Sequence, residues 1–201
     1  WDNLKFDNDG IIETSRKSIA KCLNCKSQEI IFTSSATEAT NWFLRNSIKD
    51  LEIKRVVTSK IEHHAVLHAI EELSLNYNLN VNYVNLDANG MIDYNHLNKL
   101  LNDNSSKTLV SLMHVNNEIG NRIDLKKVAD LCKENNALFH SDTVQSVGHY
   151  NLNFSEIPID FAAVAAHKFH GPKGVGFAFI RKNSGLKPLI VGGQQERGLR
   201  A

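Results

Sequence analysis

Short runs of β-branched and aromatic residues alternate with amphipathic stretches along almost all of the 201-residue chain, and this alternation restricts the fold more than any other feature. A helical stretch from Ile11 to Cys25 leads into the apolar run Glu29–Thr33. The next helix, Thr37 to Ile48, begins where Ser35 is followed three residues later by Glu38. That is the spacing of a capping box, in which hydroxyl and carboxylate satisfy free N–H groups at a helix start. A strand over 55–59, a helix from His64 to Tyr77 and an alternating strand over 80–86 follow. After a turn at Asn89-Gly90 come a helix from Tyr94 to Leu101, a strand over 108–115, a helix capped by Asp124 and reaching Asn135, and a strand over 137–142. The last third offers strands at 161–166, 174–181 and 188–193. Strands alternating with helices in this way predict one α/β domain around a mostly parallel sheet.

In such a sheet, ligands collect at the carboxyl ends of the strands. Five polar clusters fall at those ends here: TSSATE after the first strand, SKIEHHA after the second, then NNEIG, SDTVQ and AHKFHGPKG. Five together predict one shared site, although each has a plainer reading alone. The small residues of TSSATEA open a helix whose N–H groups and hydroxyls suit a phosphate, or are simply an N-cap. Asp142 ends an apolar strand, so its carboxylate wants a cationic or N–H partner, whether a ligand or a salt bridge. Lys168 ends another strand at the edge of the proposed site, where desolvation would suit it to a Schiff base; a surface lysine is the alternative. Gly171, Gly174 and Gly176 would let the backbone turn tightly beside a ring, while Lys173, between Pro172 and Gly174, reads as a turn.

A formal net charge of +1 points to neither nucleic acid nor an anionic membrane as partner. No run approaches the roughly 18–20 apolar residues of a membrane span, and the polar start WDNLKFDNDG lacks the core of a secretory signal. Three cysteines with no framework spacing fit a reducing compartment, hence a cytoplasmic protein. Cys22 and Cys25 form a CxxC that reads as small, partly buried side chains, since no second pair follows. His64 and His68 have a zinc-compatible i,i+4 spacing, but there is no HExxH pattern and the expectation is no metal.

Taken together, IIFTSSATEATN, KIEHHAV, HVNNEIG, HSDTVQSVG, AAHKFHGPKGVGF and GGQQERGLR resemble the class V aminotransferase family, and within it the NifS/IscS type of cysteine desulfurase. The resemblance implies a three-layer α/β/α large domain of the fold-type-I pyridoxal-phosphate (PLP) transferases. It implies that Lys168 forms the Schiff base with PLP, that Asp142 pairs with the pyridine nitrogen, and that Gln145 bonds the phenolic oxygen. His63 would stack on the ring and take part in proton transfer. Ala36 and Thr37 would cup the phosphate, with His167 reaching it too, and Asn117 would lie by the cofactor and the substrate carboxylate. The implied reaction takes sulfur from L-cysteine, giving L-alanine and an enzyme persulfide that passes to a sulfur-acceptor scaffold protein, within a homodimer. A selenocysteine lyase or another PLP lyase or aminotransferase is the alternative, as is a catalytically impaired NifS-like protein.

The pattern departs from the family at Ala165, where a phosphate-binding serine is usual, and at Ser35, where glycine is commoner. Residues 1–201 are expected to form the large domain without the small C-terminal domain and its persulfide-forming cysteine, a role that Cys22, Cys25 and Cys132 do not match. Alone, such a chain should hold PLP without completing the reaction.

Overall fold

A computed structural model describes residues 8–103 and 105–201. Seven strands form one sheet: β1 (Ile30–Thr33), β2 (Arg55–Thr58), β3 (Asn80–Tyr83), β4 (Thr108–Ser111), β5 (Leu138–Asp142), β6 (Phe161–Ala165) and β7 (Gly176–Ile180). Their order is β1-β7-β6-β5-β4-β2-β3. Only β7 runs against its neighbours, pairing antiparallel with β1 and with β6, and every other pairing is parallel.

The expected three layers are present. Successive strand residues point to opposite faces, so Leu109 and Val110 of β4 enter two different cores. On one face α2 (Ala36–Asp50) and α3 (His64–Asn76) bury Trp42, Phe43, Val66 and Ile70 against Val56, Leu109 and Phe161. On the other, α1 (Asn8–Cys22), α4 (Tyr94–Leu101) and α5 (Leu125–Glu134) bury Ala20, Leu97 and Val128 against Val110 and Phe139. Strands covered on both faces read as continuous apolar runs, and β2, β4, β6 and β7 are buried throughout. The edge strand β3 keeps its polar alternation.

The end of α1 and the last expected strand differ most from expectation. Helix α1 ends at Cys22, not Cys25, because Asn24 takes a left-handed conformation (φ 49°). There Asn24 N–H donates to Lys21 O and Cys25 N–H to Ala20 O, the paired bonds of a Schellman stop. The CxxC therefore straddles a helix end, with Cys22 exposed and Cys25 half-buried. Residues 188–193 form no strand; only an isolated bridge between Ile190 and Arg200 occurs there. The preceding carbonyls are already used: Trp42 Nε1 donates to Lys187 O at 2.7 Å, and Asn46 Nδ2 donates to Lys187 O and Pro188 O. Those bonds hold the start of this segment against α2.

Candidate functional site

The carboxyl ends of β1, β2, β4, β5 and β6 lie at one edge of the sheet, and the turns leaving them surround a cavity of about 240 Å³. All eight residues proposed from the sequence line it: Ala36, Thr37, His63, Asn117, Asp142, Gln145, His167 and Lys168. Each comes from a turn after a different strand or shares one with a neighbour, so none could reach the others without the parallel order of the sheet.

At the β1 end, Ser35 caps α2, its hydroxyl accepting from Glu38 N–H at 3.1 Å. The return arm of the expected capping box is displaced by one residue: Glu38 accepts from the N–H and hydroxyl of Ser34. Arg200 holds the same carboxylate, donating from Nε at 2.5 Å. Ser35 is extended (φ −171°), a conformation open to any residue, so it fits without strain where glycine is commoner. The capped helix presents its first free N–H groups, and its positive dipole end, at Ala36 and Thr37. One turn further, the Thr40 hydroxyl is buried on the cavity wall with no hydrogen-bond partner among the described residues.

At the β2 end, His63 caps α3, and its Nδ1 accepts from Ala65 N–H at 3.1 Å. A neutral ring then carries its proton on Nε2. At the β5 end, Asp142 is buried and accepts from Val144 N–H at 2.9 Å. Burial pushes its carboxyl above the usual range, against the bond from Val144 and the attraction of His63.

Lys168 sits in a single 3-10 turn, Ala166–Phe169, directly after β6. The turn is held by His149, whose Nε2 donates to Lys168 O at 2.8 Å, and ended by His170 in the left-handed region (φ 67°). Lys168 is exposed, so the expectation of a desolvated lysine is corrected: the strand end places it on the open side of the cavity. Lys173 lies in a turn and does not line the cavity.

The strand beneath this turn depends on Gly176. A Cβ there would lie 2.4 Å from Val164 O and 3.0 Å from the Ser35 carbonyl carbon. Gly176→Ala is therefore expected to cost about 1–3 kcal/mol by overpacking. It should also displace Ser35, so urea unfolding and ligand affinity for the cavity should both deteriorate; an unchanged midpoint would show that the strand pair yields freely.

An oxyanion or phosphate at Ala36 and Thr37, and a cationic ring nitrogen at Asp142, match the donors and the buried acceptor this cavity contains. The orphaned Thr40 hydroxyl also calls for a polar ligand atom. Thr40 and Met113 were not foreseen, although Thr40 lies three residues after Thr37 and so shares its helix face. The three cysteines are elsewhere; burial pushes the Cys25 thiol up to about 12 and that of Cys132 further still. Among the described residues no group of three or more His, Cys, Asp or Glu could hold a metal ion, and no helix is long and apolar enough to cross a membrane.

Residues 3–199 match the family model for aminotransferase class V. The chain is 42% identical over 195 residues to the cysteine desulfurase IscS of Dictyoglomus turgidum, covering 94% of this chain and 48% of that protein. It resembles the solved structure of a NifS-like protein with a TM-score of 0.87 at 40% identity, covering 94% of this chain and 52% of that one. A structure of SspA in complex with cysteine gives a TM-score of 0.87 at 34% identity, covering 94% and 55%. The chain spans about half the length of the curated relatives it matches.

Proposed function

The chain belongs to the aminotransferase class-V family, and on that premise we propose that it forms the PLP-holding part of a cysteine desulfurase. One observation carries this reading: an amine, a buried carboxylate and a capped helix N-terminus converge on one cavity, at Lys168, Asp142 and Ala36–Thr37. Those are the three groups needed to hold an aldehyde, a pyridine nitrogen and a phosphate.

When bound, PLP would supply an electron-withdrawing ring that accepts the negative charge left at an amino acid's Cα. Lys168 would hold the aldehyde carbon through its amine and, once displaced by substrate, could carry the Cα proton. Asp142, ionised, would keep the proton on the ring nitrogen. The Gln145 side chain would donate to the phenolic oxygen. With Nδ1 engaged by Ala65, His63 would turn its Nε2–H toward the ring and substrate. Ala36 and Thr37 would bind the phosphate, with His167 alongside, and Ala165 offers it no hydroxyl. One missing charged hydrogen bond of that kind costs about 1.5–3 kcal/mol, which weakens the cup without abolishing it. Asn117 would face the substrate carboxylate.

The substrate in this reading is L-cysteine and the product L-alanine, the sulfur leaving as a persulfide for an acceptor scaffold protein. A cysteine complex among the similar structures supports that substrate. No cysteine of this chain lines the cavity, so the sulfur-accepting thiol must be brought to it from elsewhere. A homodimer in the cytoplasm completes the proposal, and three unpaired cysteines suit a reducing compartment.

The test is spectroscopic. Adding PLP should give the visible absorbance of a cofactor bound to lysine, lost in Lys168→Ala and kept in Lys173→Ala. Absence of the band from wild type and both variants would overturn the assignment.

A further inference from the structure

Thr40 stands one turn into α2, on the wall of the cavity at the strand ends, and is almost fully buried. A threonine inside a helix can donate its hydroxyl to the carbonyl three or four residues back, here Thr37 or Ala36. Neither bond forms, and the hydroxyl has no partner among the described residues. Buried hydroxyls on Ser47, Thr58 and Ser141 are also unpartnered, but none of those residues lines the cavity. The unpartnered hydroxyl of Thr40 is thus set apart by its place.

Helix geometry says which end of the cavity this hydroxyl serves. Side chains of an α-helix lean toward its N-terminus, so a residue covers the turn before its own. For Thr40 that turn holds Ala36 and Thr37, at the helix end with free N–H groups and a positive dipole. Glu38 is the acidic residue of the same turn, and it does not line the cavity. Its carboxylate is engaged by Ser34 and Arg200, so no negative charge competes for the helix end from within α2. Ala165, which ends β6 on the cavity wall, offers a methyl group and no donor. A phosphate ester presents three strongly accepting oxygens and needs several donors.

We propose that the Thr40 hydroxyl donates a hydrogen bond to the phosphate end of the cavity's ligand, extending into α2 the cup begun by Ala36 and Thr37, in place of the hydroxyl that Ala165 lacks. The identity of that ligand rests on the PLP reading, whereas the role of Thr40 as a donor to an oxyanion does not.

The experiment compares Thr40→Val, which exchanges the hydroxyl for a methyl of similar shape, with Thr40→Ser, which keeps it. In the ligand-free protein an unpartnered hydroxyl has no bond to lose, so the urea midpoint of Thr40→Val should equal or exceed that of wild type. A clearly lower midpoint would show the hydroxyl bonded within the protein and would overturn the proposal. With PLP present the order should reverse. The Kd for PLP, from titration of the visible band, should rise about tenfold or more in Thr40→Val and stay within about threefold in Thr40→Ser. Pyridoxal has the ring and aldehyde without the phosphate, and it should bind wild type and Thr40→Val alike. Equal losses for PLP and pyridoxal would put the hydroxyl at the ring, and an unchanged Kd for PLP would leave it no ligand; either result sinks the proposal.

Inorganic phosphate separates this inference from the PLP reading. At ionic strength matched with chloride, phosphate should raise the urea midpoint of wild type, and raise that of Thr40→Val markedly less. That result beside no PLP band in wild type would reject the cofactor reading and keep Thr40 as an anion donor. A PLP band of equal affinity in wild type and Thr40→Val would reject the role of Thr40 and keep the cofactor reading. Absence of both PLP and phosphate binding from wild type would overturn the two together.

Discussion

Phe43→Ala should lower the free energy of unfolding by about 3–5 kcal/mol, the usual cost of deleting a fully buried aromatic side chain. Phe43 lies on α2 with no exposed surface, stacked on Phe161 of β6 at 5.1 Å between ring centroids and tilted against His140 of β5 at 5.3 Å. It is the contact by which α2 grips the middle of the sheet. Domains of this size have about 5–15 kcal/mol in total, so this one change removes much of the margin. The effect should extend to the site, since the first turn of α2 carries Ala36 and Thr37 while Phe43 anchors the same helix two turns on. PLP affinity should therefore fall even in conditions where the variant stays folded. Phe43→Leu, which keeps most of the volume, should be considerably milder. A loss below about 1 kcal/mol in urea for Phe43→Ala would mean that α2 settles into the gap and that the stacked rings do not anchor it.

The parts of the fold that could be read ahead are those decided by local pattern. Strands buried on both faces announce themselves as apolar runs, and the polar residues after them had to meet once the strands were parallel. That is why five polar clusters could be expected around one cavity, while the resemblance to the family picked out the eight residues from Ala36 to Lys168 that line it. What escaped is non-local. Residues 188–193 look like a strand because their side chains suit one, but the preceding carbonyls are taken by Trp42 and Asn46, more than 140 residues away in the chain. The end of α1 was misplaced for a different reason: Asn24 is a residue that tolerates the left-handed stop, and its signal was present but outweighed by periodicity. Lys168 was recognised by position while its exposure was not, because the depth of a turn depends on how neighbouring turns pack over it. Glu62 gave no signal at all. Between Ile61 and His63 it reads as a solvated glutamate, and only the exit of β4, about fifty residues later, encloses it.

Stability should peak near pH 6 and fall by about 1 kcal/mol between pH 6.5 and pH 8, and Glu62→Gln should remove that fall. Burial holds His140 down to about 3 and His114 down to about 4, so both rings are neutral in the folded protein where the unfolded chain would protonate them. Their contribution is present above the ordinary histidine range and is lost as pH falls below about 6.5. Buried carboxyls work in the opposite sense. Burial raises Asp160 to about 6, Glu62 to about 8, and Asp142 as well. An acid whose folded pKa is raised binds its proton more tightly folded than unfolded, so its stabilisation is full below the unfolded value and is lost as pH rises through the folded one. Between about pH 4.5 and 6 the two sets nearly cancel, two histidine protons against two or three carboxyl protons. Above 6.5 the two histidines still return about 0.8 kcal/mol as the unfolded imidazoles lose their remaining protons, Asp160 has mostly titrated, and Glu62 dominates. Glu62, half ionised by pH 8, loses about 1.6 kcal/mol over the 1.5 units from 6.5 to 8, which leaves a net fall of about 1 kcal/mol at about 1.36 kcal/mol per unit. Urea unfolding of wild type and Glu62→Gln at both pH values measures it directly. Parallel curves for the two proteins would show that Glu62 is already ionised at pH 6.5, its charge carried by the bonds from Ser59 and Met113.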